Sequence, residues 1–537
     1  MGQKYLGKGL KKDHVQRDGV RYLLLSCLFS AFMLVWFLLI CTTDCQTFDN
    51  DYQYFLNRHT WKDMFDFILV DYSPPLYSVV LKIYTQIFGE NLITMRVLGL
   101  IFLCSHFFMA FFPLRRLMGK ECAITASCIF LASSYNFYWG VTIRPAILAY
   151  VLTTGMYIYA LLSIFQGEKS DHIKFTIFSL LCMYTHNVSL IAAFCVYGST
   201  IIIALIRKNF SVFKRFLISG ITVAILYIPW LIVLLSQVKR VSEHFWGKEG
   251  SLLHALYFST CGYVGIRTIG VPARPIVAFI LLMPVINVLL LIKKENIGKD
   301  CHLRDLFPVR EAKKEWRNTD RFLYLLLIVL LSATAFYLVT VFVAPFYARR
   351  YFFIYSGGGI ILVSCLATMC KKREVPAIIL ICAIFCSCLV NTSSERQIVT
   401  SCTKDDMIRD IMQDSNGHPE ILHIYEETLG VTAYYFPDAR HYVTDDIKGV
   451  LPNFDVFGAD TVYLHNGDDV WEYSDEVYIF SQLPFDLYDI GPYEYFPMFF
   501  DTPDSIRMEE FGHYYMPYTN DIAYGTYELI VYKVTRV

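Results

Sequence analysis

The chain has 537 residues and a formal net charge of −1, and 55% of its residues are hydrophobic. A soluble domain is about 45–50% apolar. The excess here lies in runs of about 20 apolar residues that end near residue 392, which is typical of membrane spans. Segment 393–537 instead carries 27 Asp and Glu residues against eight Lys and Arg residues. So acidic a segment argues against a nucleic-acid partner, because phosphates need Lys and Arg.

The 16 cysteines form no disulfide or zinc pattern. Several lie inside apolar runs, where cysteine behaves as a small hydrophobic residue, and no CxxC pair has a matching Cys or His pair. The first apolar run begins near Val20. It is too long for the core of a signal peptide and is followed by no small-residue cleavage site. We therefore interpret it as a retained first span.

The apolar runs predict about 11 spans when they are assigned by length. The predicted spans are 20–42, 92–113, 121–136, 146–165, two within 173–206 with a bend near His186, 216–235, 273–292, 321–343, 352–370 and 375–392. The run from Pro74 to Phe88 is shorter and contains Lys82. This favours an interfacial helix within an outer loop, 43–91, over a span.

Lysine and arginine residues orient these spans through the positive-inside rule. The basic segments are the N-terminal tail, the residues after Arg115 and after Arg207, the predicted loop 293–320 and the turn 371–373. Placing all of them in the cytoplasm gives a cytoplasmic N-terminus and puts segment 393–537 outside. The membrane part is therefore predicted to cover residues 1–392.

Segment 393–537 is predicted to be a small α/β domain. Its β-branched and aromatic content predicts strands at Ile421–Tyr425, Thr461–Leu464, Val477–Phe480 and Tyr527–Val534. A helix is predicted at Thr428–Phe436. The position of this domain outside, beside the loops of the membrane part, indicates a role in binding an acceptor or in supporting a site.

Under this topology, polar residues at five places along the chain reach the outer face. They are Asp44, then Asp71 with Pro74, Pro75 and Tyr77, then Arg144, then His186, and finally Arg349 with Arg350. Arginines bind lipid phosphates, a carboxylate can deprotonate an attacking acceptor, and cations stabilise a phosphate leaving group. Arg349 and Arg350 also break the positive-inside pattern, which favours a functional role.

Most of these residues also have a simpler explanation. Asp44 can be a solvated helix end, and Asp49 and Asp51 compete for its role. Arg144 can anchor the chain at lipid headgroups, and His186 can bond a neighbouring backbone group. The two prolines can simply start a helix.

The order of these residues resembles the GT-C superfamily of membrane glycosyltransferases, in the bacterial branch related to protein O-mannosyltransferases and lipid A aminoarabinose transferase. The segment from Asp71 to Tyr77, followed by Phe88-Gly89-Glu90 and Arg96, is similar to the family's His-Pro-Pro-Leu-Tyr, Phe-Gly-Asp and Arg pattern. Similar elements follow in order over roughly residues 20–370: Arg144-Pro145, Tyr184-Thr185-His186, Pro229-Trp230 and Arg350-Tyr351.

The resemblance implies a polyprenyl-phosphate sugar donor, an outward active site and inversion at the anomeric carbon. It gives Asp44 the role of the catalytic acid of the first outer loop, with Asp71 as second choice. Donor-phosphate roles are implied for Arg144, Arg349, Arg350 and His186, and structural roles for Pro74, Pro75, Tyr77 and Arg96.

Two departures from the family pattern affect the base and any metal site in this loop. Cys45 follows Asp44 where the family often has Glu, and Ser73 replaces the His before the two prolines. No cofactor is required by the pattern, and a divalent cation is left open. The expected partners are the lipid donor, membrane lipids and an extracytoplasmic acceptor in a bacterial plasma membrane. The sequence identifies neither the sugar nor the acceptor.

Other classes of function stay open at this point. One is a flippase or transporter of lipid-linked glycans, another a ligase that uses a diphosphate-linked glycan, and a third a membrane receptor. Ion-coupled transporters carry ionisable residues near the middle of the membrane, and the predicted spans contain almost none. Neutralising Asp44 should abolish an enzyme but not a flippase or receptor.

Overall fold

The computed structural model describes scattered helical residues between Leu24 and Val35 and most of the chain after residue 47. The described residues are 24, 27, 28, 31, 32, 35, 48–71, 73–244, 250–261, 318–343, 347, 349–369, 377–386, 402–424, 426–444, 454–481, 500, 505–519 and 524–537. Asp44, the predicted span 273–292 and residues 293–317 of the predicted loop 293–320 lie outside them.

The membrane part is helical. Its helices are α1 (Phe48–Arg58), α2 (Trp61–Val70), α3 (Leu76–Phe88), α4 (Leu92–Met118), α5 (Lys120–Ala132), α6 (Ser134–Val141), α7 (Ala146–Phe165), α8 (Lys169–Met183), α9 (Asn187–Ile206), α10 (Phe210–His244), α11 (Leu252–Cys261), α12 (Asn318–Phe342), a 3-10 helix (Arg349–Tyr355), α13 (Ser356–Met369) and α14 (Ala377–Cys386). Within the described ranges, six helical segments are long and apolar enough to cross a membrane: Leu92–Met118, Ala146–Phe165, Asn187–Ile206, Phe210–Gln237, Asp320–Phe342 and Tyr351–Thr368.

These six segments coincide with predicted spans, and the bend near His186 is also present. Helix α8 ends at Met183, and His186 caps α9 by accepting a hydrogen bond from the N–H of Val188. The predicted span 121–136 is instead divided between α5 and α6. Ser133 leaves the helical conformation, and its hydroxyl accepts from the N–H of Asn136 at 3.3 Å, which starts a new helix. Helix α11 was not predicted, and the total of about 11 spans stays a prediction.

Helix α3 has the inverse amphipathic pattern of a helix that faces lipid. Its buried face contains Ser78, Lys82 and Thr85, whereas Ile83 and Ile87 on the other face are exposed. Thirteen residues make a helix of about 20 Å, which is shorter than the roughly 30 Å hydrocarbon core. Both observations agree with the predicted interfacial helix.

Arginines satisfy the carbonyl groups and a carboxylate at one end of the bundle. Arg116 lies 2.9 Å from Asp171, whose side chain is fully buried. Arg215 donates to the carbonyl oxygen of Ser163 at 3.0 Å, and Arg321 donates to a carbonyl at the end of α4. We call this the basic end of the bundle. The opposite end contains the loops in which the candidate site residues lie.

The C-terminal part forms a six-stranded sheet across the residues that are described there. Its elements are α15 (Lys404–Asp414), β1 (Glu420–His423), α16 (Glu426–Tyr435), β2 (Arg440–Thr444), a 3-10 helix (Phe454–Phe457), β3 (Asp460–Leu464), a 3-10 helix (Gly467–Glu472), β4 (Glu476–Ser481), β5 (Ile506–Thr519) and β6 (Tyr524–Arg536). The strand order is β3-β2-β1-β4-β6-β5; the first four are parallel, and β6 and β5 are antiparallel to their neighbours.

The four predicted strands and the predicted helix are confirmed as β1, β3, β4, β6 and α16. The sequence did not predict β2, β5 or α15. Helix α16 connects β1 to β2, as expected for a parallel pair, which needs a crossover connection.

The sheet domain contacts the membrane part through α1. Aromatic rings and one hydrogen bond form this contact: Tyr54 lies 5.2 Å from Tyr434 and Phe55 lies 5.6 Å from Phe457 between ring centroids, and His59 Nε2 lies 2.7 Å from the carbonyl oxygen of Val456. Helix α1 is therefore held between the sheet domain and the bundle.

Candidate functional site

Polar side chains hold α1 against α3. Ser78 donates to Gln53 at 3.0 Å, and Asn57 donates to the hydroxyl of Thr85 at 2.9 Å. Lys82 donates from Nζ to the carbonyl oxygen of Asn57 at 2.7 Å and to that of residue 59 at 2.6 Å. These carbonyls lie at the C-terminal end of α1, and a cation is favoured at that end because it carries partial negative charge. The buried Lys82 thus has a structural partner on α1.

Helix α1 also fixes the turn that carries Arg144. The side-chain oxygen of Asn50 accepts a hydrogen bond from the N–H of Ile143 at 2.6 Å, and both residues are buried. Pro145 then precedes the first turn of α7, where a proline suits the helix start. Arg144 lies between these two anchored positions and is half-buried.

The Pro-Pro-Leu-Tyr segment contacts the Tyr-Thr-His segment directly. The N–H of Leu76 donates to the carbonyl oxygen of Tyr184 at 3.0 Å. Pro75 precedes α3, and Tyr77 is buried in its first turn. Two of the motifs on which the family resemblance depends are therefore neighbours in the fold.

Asp71 ends α2 at the entrance to this segment. Its N–H donates to the carbonyl oxygen of Phe67 at 2.9 Å, and its carboxylate accepts from the N–H of Ser73 at 3.3 Å. The side-chain amide of Gln237, from α10, donates to the Asp71 carbonyl oxygen. Helices α2 and α10 together therefore fix the backbone of Asp71.

Electrostatic interactions place Asp71 and Arg144 in one neighbourhood. Burial raises the pKa of Tyr52 well above its usual value, the Asp71 carboxylate raises this pKa further, and Arg144 opposes the shift. Burial likewise raises the pKa of Tyr77, again against the influence of Arg144. An acid and a cation predicted from separate loops thus meet around one tyrosine of α1 and one of α3.

His186 and the 3-10 helix Arg349–Tyr355 form the adjoining part of this end. The His186 ring lies 5.3 Å from the Tyr351 ring between centroids, and the Tyr355 hydroxyl donates to the carbonyl oxygen of Val188 at 2.8 Å. The N–H of Val188 donates to His186 Nδ1 at 3.2 Å, so a neutral imidazole carries its proton on Nε2. The backbones of Arg349 and Arg350 belong to this 3-10 helix.

Other acidic candidates lie elsewhere. Asp51 is buried on α1, and its carboxylate lies against Gly430 of the sheet domain. Asp49 belongs to α1 by its backbone. Arg96 is buried near the start of α4, and its structural role stays a prediction. In the part of the chain that the structure describes, no group of three or more His, Cys, Asp or Glu residues could hold a metal ion.

Three residues carry no signal in the sequence that would single them out. Tyr52 and Gln237 lie next to Asp71, but a tyrosine on an amphipathic helix and a glutamine at a span end are usually packing or surface residues. His106 lies about midway along α4, fully buried, with its ring 3.9 Å from the Phe130 ring between centroids. His106 is an ionisable residue deep in the bundle. It corrects the expectation that the predicted spans contain almost no ionisable residue near the middle of the membrane.

Comparison with solved structures identifies the fold. The chain is similar to the crystal structure of ArnT from Cupriavidus metallidurans in the apo state, with a TM-score of 0.54. It is also similar to ArnT from the same organism bound to undecaprenyl phosphate, with a TM-score of 0.57. In both cases the identity is 10%, and the match covers 94% of this chain and 97% of the other. The chain has the fold of these ArnT structures.

The fold implied by the motif resemblance is therefore confirmed, and the chain is a multi-pass helical membrane protein. No protein-family model matches the sequence, and no curated protein matches it either. At 10% identity the likeness concerns the path of the backbone and not the chemistry of the site.

Proposed function

We propose that this protein transfers a sugar from a polyprenyl-phosphate donor to an extracytoplasmic acceptor. The observation that carries the proposal is the shared neighbourhood of Asp71 and Arg144 at the end of the bundle opposite the basic end. The interfacial helix α3 lies directly beside it, so a lipid headgroup in the outer leaflet can reach both charges. The undecaprenyl phosphate bound to one of the two similar ArnT structures supports this donor class.

Each charged group has a distinct role in the proposed reaction. Arg144 binds the donor phosphate, and Arg349, Arg350 and His186 are proposed to add positive charge or hydrogen bonds around it. A carboxylate, Asp44 or Asp71, accepts the proton of the acceptor as its oxygen or nitrogen attacks the anomeric carbon. The bond from that carbon to the phosphate oxygen breaks, and its electron pair leaves with the phosphate. Attack from the opposite side inverts the anomeric configuration.

The proposed setting is a bacterial plasma membrane with the sheet domain outside. The basic end then faces the cytoplasm, as the positive-inside rule requires. The sheet domain contacts α1, which carries Tyr52, so it is placed to support the site or to present an acceptor. Chelation with EDTA before a transfer assay tests whether a divalent cation takes part.

The identity of a bound lipid tests the donor class. We would purify the wild type in mild detergent, record native mass spectra, and compare Arg144→Ala with Arg207→Ala, a control in which the arginine lies at the end of α9. We expect a polyprenyl phosphate, or its sugar adduct, on the wild type and the control but not on Arg144→Ala. A diphosphate-linked glycan in its place would favour a ligase or flippase.

The carboxylates discriminate an enzyme from a flippase or receptor. Loss of a general base slows a reaction by about 10²–10⁴-fold. We therefore expect Asp44→Asn or Asp71→Asn to lose sugar transfer by that order while lipid binding persists. Full transfer activity in both variants would contradict the assignment of either residue as the base.

A further inference from the structure

The Tyr52 hydroxyl is a buried polar group without a hydrogen-bond partner among the described residues. The residue as a whole is only half-buried, so the hydroxyl points inward. A buried hydroxyl that makes no hydrogen bond costs free energy, and most such groups in folded proteins are paired. An unpaired one at the edge of a charged site is therefore a candidate for pairing with a ligand.

The position of this hydroxyl is set by the rest of α1. The helix is bonded to Ile143 through Asn50 and to α3 through Gln53 and Asn57. The i, i+3, i+7 spacing of these three residues puts them on one face of α1, and the rings of Tyr54 and Phe55 contact the sheet domain. The helix therefore cannot turn about its axis without breaking these contacts. The hydroxyl is thus a preorganised donor.

Two opposite charges act on this hydroxyl. The Asp71 carboxylate and the Arg144 guanidinium influence it in opposite senses. The phenol stays protonated because burial and Asp71 both oppose its ionisation, so it presents an O–H. A ligand that fits beside an arginine and accepts from a hydroxyl is an anion with several oxygen atoms.

We propose that Tyr52 donates a hydrogen bond to the phosphate of the lipid donor that Arg144 binds. This inference rests on the proposed function and adds a residue that touches the leaving group. As the bond from the anomeric carbon to the phosphate oxygen breaks, the electron pair moves onto the phosphate. A hydrogen bond to that growing charge strengthens during the step, and Tyr52 keeps its proton.

The phosphate is a better partner for this hydroxyl than the acceptor. An acceptor hydroxyl or amine must give its own proton to a carboxylate, so it acts as a hydrogen-bond donor. Tyr52 also presents an O–H donor, and two donors do not pair. A phosphate diester presents only acceptor oxygens. Hydrogen bonds to charged groups are also stronger than those between neutral groups.

The experiment compares Tyr52→Phe with Tyr54→Phe. Both variants remove one hydroxyl from α1. The Tyr54 ring contacts the sheet domain, and its hydroxyl accepts a hydrogen bond from Arg58 of the same helix at 3.4 Å. Binding of two lipids, undecaprenyl phosphate and undecaprenol, is titrated to each full-length variant in detergent. We expect Tyr52→Phe to weaken binding of undecaprenyl phosphate by about 10- to 100-fold, the usual effect of one hydrogen bond to a charged group. Undecaprenol binding and the Tyr54→Phe variant should match the wild type.

Two outcomes would overturn the inference. Equal affinity of Tyr52→Phe and the wild type for undecaprenyl phosphate would show that the hydroxyl does not contact the phosphate. A parallel loss of affinity for both lipids would assign Tyr52 a packing role. Failure of the proposed function is distinct from both, because the wild type itself would then show no preference for the phosphorylated lipid.

Discussion

Two buried histidines pair in the sheet domain beneath α16. His423, at the end of β1, lies with Nε2 2.9 Å from Nδ1 of His441 on β2, and its own Nδ1 lies 2.7 Å from the Thr428 hydroxyl. Both side chains are buried. One hydrogen atom is shared between the two facing nitrogens, so the arrangement requires that at least one of the rings is neutral.

This pair makes stability depend on pH. Burial lowers the pKa of His441 to about 4, against opposing influences of the Phe436 backbone and Asp460, and burial together with His441 lowers the pKa of His423 well below its usual value. The unfolded chain therefore binds more protons than the folded one between about pH 4 and 6.5, and stability is lost as the pH falls through that window. We expect a loss of roughly 2–4 kcal/mol at pH 4.

Thermal unfolding of the full-length protein at pH 7.5 and at pH 5.0 measures this effect. The downward shift of the apparent Tm should shrink in His441→Asn and persist in His418→Asn, in which an exposed histidine is changed. A wild-type Tm that is the same at both pH values would contradict a neutral buried pair.

In the candidate site, the sequence predicts a functional residue where a motif marks it. Asp71, Arg144 and His186 stand beside prolines or at span ends, and those features are enough to predict that they share one face. Tyr52 carries no such mark, because an aromatic residue on an amphipathic helix is usually a packing residue. Its role depends on Asp71 and Arg144, which lie 19 and 92 positions further along the chain, and sequence spacing does not reveal that contact.

At the scale of elements, α1 and α16 approach closely at a glycine. A Cβ atom on Gly430 would lie 2.2 Å from an Asp51 carboxylate oxygen and 2.6 Å from the Phe457 ring. The Asp51 carboxylate also accepts from the N–H of Tyr52 at 2.6 Å, which limits its freedom to move aside. Glycine at position 430 therefore permits the contact between the sheet domain and α1.

We expect Gly430→Ala to destabilise this contact by about 1–3 kcal/mol, the usual cost of overpacking. The apparent Tm and the rate of proteolysis of the sheet domain measure the change. Gly198→Ala is the matched control, because Gly198 also lies in a helix but no atom of the described residues lies within 4 Å of the place that its Cβ would take. There we expect no loss, or a gain of up to about 1 kcal/mol. Equal proteolysis of Gly430→Ala and the wild type would contradict the close contact.

Element boundaries are predictable where apolar length and helix signals agree. Helix α7 matches the predicted span 146–165 because Pro145 and Gln166 bound an uninterrupted apolar run. The run 121–136 contains Ser133, whose hydroxyl starts a new helix, and apolar length alone does not show such a break. Strand β2 is no shorter than β1 or β3, which were predicted, but its partner β1 lies across a helix, so no hairpin signal marks it.

At the scale of the whole molecule, charge separates the two ends of the bundle. Arg116, Arg215 and Arg321 lie at the basic end, bonded to helix-end carbonyls or to Asp171. Asp71, Arg144 and His186 lie at the other end. Helix direction alternates between these ends from α7 through α9, which is the pattern that the positive-inside prediction needs.

Reporter fusions test the orientation of this arrangement. A fluorescent protein that folds only in the cytoplasm and a phosphatase that is active only outside are fused at Arg207, at Lys314 and at the C-terminus. We expect cytoplasmic signals at Arg207 and Lys314, because basic loops are retained inside, and an external signal at the C-terminus. Agreement between Arg207 and Lys314 would place the loop 293–320 at the basic end. External signals at both Arg207 and Lys314 would invert the topology and put the charges of Asp71 and Arg144 out of reach of a donor in the outer leaflet.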